Sequence, residues 1–205
     1  MRALFASSLV VIVAAAGSSA VADEVQRSYR FDTAGIERLH IDYRVGDLVL
    51  APADGDQIEV ELRIEPEHEG DPAPDLTDVN LTFRVREDQL TLRFSERDVR
   101  SHMLVRLPSL EQLTIEAKAG EIRGTLLPME TDVRLDFGSV DLEFDRSSTG
   151  RVALRARIGD TVVQGVQNVE TSRVLLVGST TSAAGEGSYG VKARVHAGEV
   201  SVALR

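Results

Sequence analysis

The chain has 205 residues, a formal net charge of −10 at pH 7 and no cysteine. The lack of cysteine excludes disulfide bonds, cysteine nucleophiles and zinc–thiolate centres. The negative field disfavours nucleic acids and anionic lipid head groups as partners. Residues 23–110 carry 20 acidic and 11 basic side chains, whereas residues 111–205 carry 13 and 11, so the acidity belongs to the N-terminal half.

The first segment, residues 1–22, is predicted to be a secretory signal peptide. A basic residue precedes a long apolar run, which ends in the small-residue sequence A-V-A. Cleavage after Ala22 would leave Asp23 as the new N-terminus. An uncleaved membrane anchor is the alternative interpretation of the same run. We therefore expect one exported domain, residues 23–205, in the periplasm or at the cell surface, without stable membrane insertion after cleavage.

Alternating apolar and polar residues then indicate a series of β-strands. A period of two residues is typical of a strand with one buried face. No segment beyond the signal peptide has convincing helical periodicity, so we predict an all-β protein. The alternating segments of the N-terminal half are residues 39–50, 58–64, 79–85, 89–94 and 103–107.

An acidic segment, residues 65–78, interrupts this pattern and is predicted to be a loop. It contains three prolines and six acidic residues, and proline removes ladder donors. A calcium site is the alternative, but the calcium-loop template is absent and we expect no bound metal. The oxygen ligands of such a site would come from Glu65, Glu67, Glu69, Asp71, Asp75 and Asp78.

A repeat centred on glycine organises the rest of the chain. The last five glycines of the set lie 18, 21, 19 and 20 residues apart. The residues one and three places before each glycine are apolar, and those two and four places before it are mostly charged, so the apolar set is expected to face a core. A corner needs φ values or a close approach that a side chain opposes. The predicted corner glycines are Gly46, Gly120, Gly138, Gly159, Gly178 and Gly198.

A strand unit that recurs about every 20 residues must stack on its copies to bury its inner face. We therefore predict a single-domain, β-helix-like β-solenoid whose regular rungs occupy residues 113–205. Rungs stacked in chain order would place oppositely charged residues side by side on the outer face. The expected pairs are Glu116 with Arg134 and Lys118 with Asp136, with Arg157 next.

One rung, at residues 174–177, is apolar on both faces. Coverage of this surface by the local segment 183–190 is the favoured interpretation, and a partner-binding patch at Val174 and Leu176 is the alternative.

The order of sequence pieces resembles the DUF4097 family, an adhesin-like family of exported bacterial β-strand-repeat proteins. The resemblance spans nearly the whole mature chain, and its most specific element joins the V-R-L-P segment ending at Pro108 to the Gly120-Glu121 corner. It implies a single-domain β-solenoid on the outer side of the inner membrane, with no established enzymatic activity. The rung at Gly178 departs from the pattern. The matching pieces include VRLPSLEQLTIEAKAGEIRG, LDFGSVDLEF, RIGDTVVQG and HAGEVSVAL.

The sequence offers little catalytic chemistry, and we expect no cofactor and no enzymatic activity. The string from Gly185 to Gly190 matches a dinucleotide-binding pattern, but a strand follows it where that motif needs a helix. No G-x-S-x-G elbow occurs. The histidines have no metal-ligand spacing and are expected at solvent-facing or loop positions; they are His40, His68, His102 and His196.

These observations favour a non-catalytic envelope protein that binds an unknown protein or polysaccharide, or has a structural role. A polysaccharide-acting enzyme is one alternative, with a groove formed by Arg134, Arg155 and Arg194 beside Asp136 and Arg157. A self-assembling scaffold is another, because residues 200–204 would leave an open strand edge for end-to-end association.

Overall fold

In a computed structural model the described residues, 24–67, 75–174 and 177–205, form β-strands and no helix, as predicted. No helix in these ranges could therefore cross a membrane. The strands are β1 (Val25–Asp32), β2 (Arg38–Pro52), β3 (Gln57–Pro66), β4 (Thr82–Arg86), β5 (Gln89–Phe94), β6 (Val99–Leu107), β7 (Gln112–Leu126), β8 (Glu130–Phe144), β9 (Thr149–Ile158), β10 (Thr161–Gln164), β11 (Val169–Val174), β12 (Gly178–Ala184) and β13 (Tyr189–Leu204).

All these strands belong to one sheet whose main path runs β1-β3-β6-β2-β7-β8-β13-β9-β12-β11. The central strands β2, β7, β8, β13 and β9 pair in parallel. On one side of this parallel block, β5 and β6 pair with successive halves of β2. On the other side, β9 and β10 pair with successive halves of β13. Antiparallel strands flank the block at both ends.

The strands do not stack in chain order, and this expectation from the repeat is wrong. The C-terminal strand β13 pairs with β8 on one side and with β9 and β10 on the other. Val200, for example, lies opposite both Val140 and Thr161. Residues 200–204 are therefore not an open edge, and Arg157 on β9 is separated from β8 by a whole strand. These residues therefore do not provide the open edge through which end-to-end association was expected.

The buried side chains of the sheet form one continuous core, and both halves of each long strand contribute to it. On β8, Val133 and Leu135 before the glycine and Val140 and Leu142 after it are all buried in the same cluster. Val140 lies five positions after Leu135, so the alternation changes phase at Gly138. An odd spacing between inward residues requires a change in strand direction or twist there.

This phase change corrects the prediction that the residue before each glycine faces the core. Phe137, Ile158 and Val177 are 58%, 52% and 57% exposed. We call these three residues the corner ridge. Strict alternation up to the glycine predicts a buried residue at this position, whereas the backbone already changes direction there.

Five of the predicted corner glycines form a stack in which each backbone lies directly against the next. A Cβ added at Gly120 would overlap the carbonyl oxygen of Gly46, and the same contact recurs from Gly138 to Gly120, from Gly198 to Gly138 and from Gly159 to Gly198. The φ angles of these glycines range from +123° at Gly159 to +144° at Gly198. Both conditions require the absence of a side chain.

Gly178 departs from this stack. It is the first residue of β12, which runs antiparallel to β9, and its φ angle is not in the positive range.

Replacement of Gly120 by alanine is expected to destabilise the protein by about 2–5 kcal/mol, because the methyl group meets backbone and the φ angle is unfavourable. Gly55→Ala is the matched control, since a Cβ there meets nothing within 4 Å. Urea unfolding of both variants measures the difference. Equal unfolding midpoints would show that close backbone approach does not hold the strands together.

Polar side chains replace the apolar core where β12 joins the sheet. The Thr161 hydroxyl lies 3.0 Å from that of Ser179 and 2.7 Å from that of Thr181, and the Thr171 hydroxyl lies 3.0 Å from that of Thr181. Thr161, Ser179 and Thr181 are buried. Mutual hydrogen bonds remove the cost of burying these hydroxyls, so the polar side chains of β12 can still pack inward.

Thr181→Ala is expected to cost about 1–3 kcal/mol, because it leaves the neighbouring buried hydroxyls with fewer partners. Thr180→Ala, at the exposed adjacent position, is expected to stay within about 0.5 kcal/mol of the parent protein. Thermal and urea unfolding distinguish the two. A Thr181 variant as stable as the Thr180 variant would argue against a structural role for the hydroxyl cluster.

Several sequence predictions lie outside the described residues. They include the signal peptide, its cleavage site at Ala22 and Asp23, His68, and Leu176 of the predicted partner patch. Val174 ends β11.

Candidate functional site

The outward face of the parallel block presents charged residues in rows that run across the strands. Because the strands pair in register, residues at equivalent positions lie side by side, about 4.8 Å apart. One row crosses six strands in the order β5, β2, β7, β8, β13 and β9. Its members are Arg93, Asp42, Glu116, Arg134, Arg194 and Arg155.

Ion pairs occupy the first part of this row. Arg93 lies 2.8 Å from Asp42, and Arg134 lies 2.7 Å from Glu116. In the adjacent row Lys118 lies 3.5 Å from Asp136. The Glu116–Arg134 and Lys118–Asp136 pairs are those predicted from the repeat, since β7 and β8 are neighbours in both chain order and space. Exposed pairs of this kind contribute little stability and mainly support register.

The last three members of the row are arginines, which the sequence predicts as part of a candidate groove. Arg194 lies opposite Arg134 on one side and Arg155 on the other. We call these three residues the arginine row. They are exposed on the outer face of a sheet. Arg194, Arg155 and nearby Arg157 form no ion pair with any carboxylate of the described ranges.

The corner ridge borders these basic residues on the same strands. Phe137 on β8 and Ile158 on β9 come three residues after Arg134 and Arg155 of the arginine row, and the ring of Phe137 lies 6.0 Å from that of His196. The carbonyl of Val177 accepts a hydrogen bond from Gly159, which brings Val177 next to Ile158. The corner ridge thus lies three residues beyond the arginine row on β8 and β9.

A second cluster, which the sequence analysis missed, surrounds His102 on β6. Its Nδ1 lies 3.1 Å from Asp47 on β2, and its Nε2 lies 2.9 Å from Glu65 on β3. A neutral imidazole can donate at only one nitrogen, so the cationic ring is the form that satisfies both carboxylates. His102 and Asp47 line a surface pocket of about 380 Å³. His102 lies on the outward face of β6, as expected, but its ring is only partly exposed.

The hydrogen bond from His102 lowers the pKa of Glu65, although partial desolvation opposes this effect. No spacing in the sequence reveals the cluster. It arises because β6 pairs with β2 in parallel and with β3 antiparallel, which places residues from three distant segments together.

His102→Ala is expected to return the pKa of Glu65 towards that of an ordinary glutamate, about 4.3. A lowered pKa in the folded state contributes stability above the unfolded value, and that stability is lost as the pH falls through the folded value. The parent protein should therefore lose stability below about pH 4.3 more steeply than the variant. NMR titration of the Glu65 carboxyl carbon and urea unfolding across this pH range provide the measurements.

His196→Ala serves as the control, because His196 is exposed and contacts no carboxylate in the described part of the chain. A Glu65 titration that is identical in the parent and the His102 variant would contradict the assignment.

The acidic segment does not form a cation site among its described residues. Glu65 is bound to His102, and the Asp75 carboxylate accepts a hydrogen bond from the backbone amide of Thr77 at 2.9 Å. Across ranges 24–67, 75–174 and 177–205, no group of three or more His, Asp or Glu residues is arranged to hold a metal ion. Glu69 and Asp71 lie outside these ranges.

The string from Gly185 to Gly190 forms a turn that leads into β13. The amides of Gly185 and Gly187 donate to the carbonyls of Gly150 and Thr149, at 2.6 and 2.9 Å. A strand follows the string, as predicted, so no helix N-terminus is available for a phosphate.

Comparison with solved structures identifies proteins of similar fold. No family model and no curated protein matches the sequence. Among solved structures, the chain is similar to a protein from Clostridium sporogenes described as a putative cell adhesion protein, with 11% identity and a TM-score of 0.52. The match covers 88% of this chain and 99% of the other. The similarity indicates a shared all-β fold.

A protein from Bacteroides fragilis described as a putative adhesin also matches. It is 9% identical and has a TM-score of 0.37, with 88% of this chain and 97% of the other covered.

Proposed function

We propose that the protein is a non-catalytic component of the bacterial cell envelope that acts as an adhesin-like binding or structural platform. The single observation that carries this proposal is the in-register display of charged residues across β5, β2, β7, β8, β13 and β9. A sheet that repeats the same outward position from strand to strand suits an extended or repetitive partner better than a compact small molecule.

The rigidity of the display supports this proposal. Backbone hydrogen bonds connect every strand of the block, and the glycine stack sets the strands against one another at the corner. Side chains held by such a scaffold lose less conformational freedom when a partner binds.

We also propose that the parallel block is solenoid-like. Both halves of the long strands contribute to one core, as β7 does through Ile115 before Gly120 and Ile122 after it. Pairs of short strands also replace single long strands at the two ends of the block, namely β5 with β6 and β9 with β10. These features, together with the resemblance to the DUF4097 family, favour stacked bent rungs over a flat sheet.

Export is part of the proposal and rests on the signal-peptide pattern of residues 1–22. The fold shared with the Clostridium sporogenes protein is compatible with an exported or surface location.

The test uses the protein purified after expression in a secreting host, immobilised and exposed to isolated envelopes. Peptidoglycan, outer-membrane glycans and envelope proteins are scored separately. We expect specific retention of one class, with no change in the chain length of any retained polysaccharide. Lack of retention by a monodisperse protein would refute the platform, and shortening of the polysaccharide would support the enzymatic alternative.

A further inference from the structure

We propose that the arginine row binds a linear acidic polysaccharide that carries carboxylates along its length. This proposal deepens the platform function and rests on it. Arg134, Arg194 and Arg155 occupy equivalent positions on the adjacent strands β8, β13 and β9. The row therefore runs across the strands with cations about 4.8 Å apart. A linear chain with regularly spaced anions complements such a row.

The arrangement has an energetic cost that a bound anion would remove. Like charges directly opposite each other on neighbouring strands are destabilising. Arg134 is compensated by Glu116 at 2.7 Å and by Asp132 at 3.5 Å. Arg194 and Arg155 form no such ion pair in the described part of the chain.

The surroundings do not supply a hidden counter-charge to the unpaired arginines. The next strand beyond β9 presents Thr180 opposite Arg155, and the strand after it presents Ser172 opposite Thr180. Asp136 is already paired with Lys118. Arg157, two residues after Arg155, adds another exposed cation to the same face.

The corner ridge gives the row an apolar border. The Phe137 ring is 58% exposed and lies beside His196, so it offers a face on which the apolar side of a sugar ring can rest. A chain lying on the arginine row would thus meet cations beneath its carboxylates and an aromatic ring along one side.

The charges on the far side of the corner ridge favour a single polysaccharide chain over a membrane as the ligand of the arginine row. On the other side of the glycine stack, β8 exposes Asp141, β13 exposes Glu199, and the connection between β9 and β10 exposes Asp160. An anionic bilayer broad enough to cover the ridge would approach these carboxylates, whereas a single chain along the arginine row would not. The acidic total charge of the protein, −10, opposes a bilayer in the same way.

The binding experiment uses the purified protein and polygalacturonate, a linear polymer with one carboxylate on each sugar. Arg194→Gln with Arg155→Gln is the test variant, and Arg97→Gln with Arg100→Gln is the control. The control removes two exposed arginines on the β6 side of the sheet that form no ion pair with any carboxylate of residues 24–67, 75–174 and 177–205. We expect the test variant to raise the Kd by about three- to tenfold and the control to leave it unchanged. Binding should weaken as salt is raised.

Neutral dextran, poly-glutamate and phosphatidylglycerol vesicles are measured in parallel. Poly-glutamate bound as tightly as polygalacturonate would overturn the assignment to a polysaccharide, and so would vesicles bound through Arg194 and Arg155. An equal loss of affinity in the control variant would also overturn it. Circular dichroism and urea unfolding verify that both variants are folded.

Failure of this site can be distinguished from failure of the platform. If isolated envelopes retain the Arg194 and Arg155 variant as strongly as the parent protein, the platform stands and the arginine row is not its binding site. If neither protein is retained, the platform itself fails.

Discussion

The close approach of neighbouring backbones at the glycine stack is the constraint on which the rest of the structure depends. Contact between successive glycines requires the strands to meet at the same residue of each repeat, and this sets the register on both sides of the corner. A slip by one residue would turn every core side chain outward. The parallel pairing, the single core and the charged rows all follow from keeping that register.

A fixed register also decides how charge is distributed. Where neighbouring repeats carry opposite charges at one position, as β7 and β8 do, ion pairs form; where they carry the same charge, as β8, β13 and β9 do, like charges are brought together. A chain that is acidic in total can therefore hold a basic surface. The net charge determines the long-range electrostatic field of the protein. Binding at one surface depends on the charged groups within about 8 Å at physiological salt.

Local sequence patterns predict much of this structure. The features that they do not predict depend on pairing between strands far apart in the chain. Alternation and the glycine spacing predict the strands and the Glu116–Arg134 pair, because these depend on one repeat or two consecutive repeats. The position of β13 between β8 and β9, the exposure of Phe137 and the contacts of His102 with Asp47 and Glu65 depend on strands far apart in the chain. Nothing in the spacing of residues records which distant strands will meet.

The position of the last strand has a consequence for how the protein is made. Strands β8 and β9 are consecutive in the chain, yet each pairs with β13, which leaves the ribosome after both. Until Tyr189–Leu204 has been synthesised, two strands in the middle of the sheet present unpaired edges. Long-range pairing of this kind is slow and exposes such edges to aggregation. Completion of the sheet thus depends on β13, and a product that stops before Tyr189 would lack the strand that joins β8 to β9.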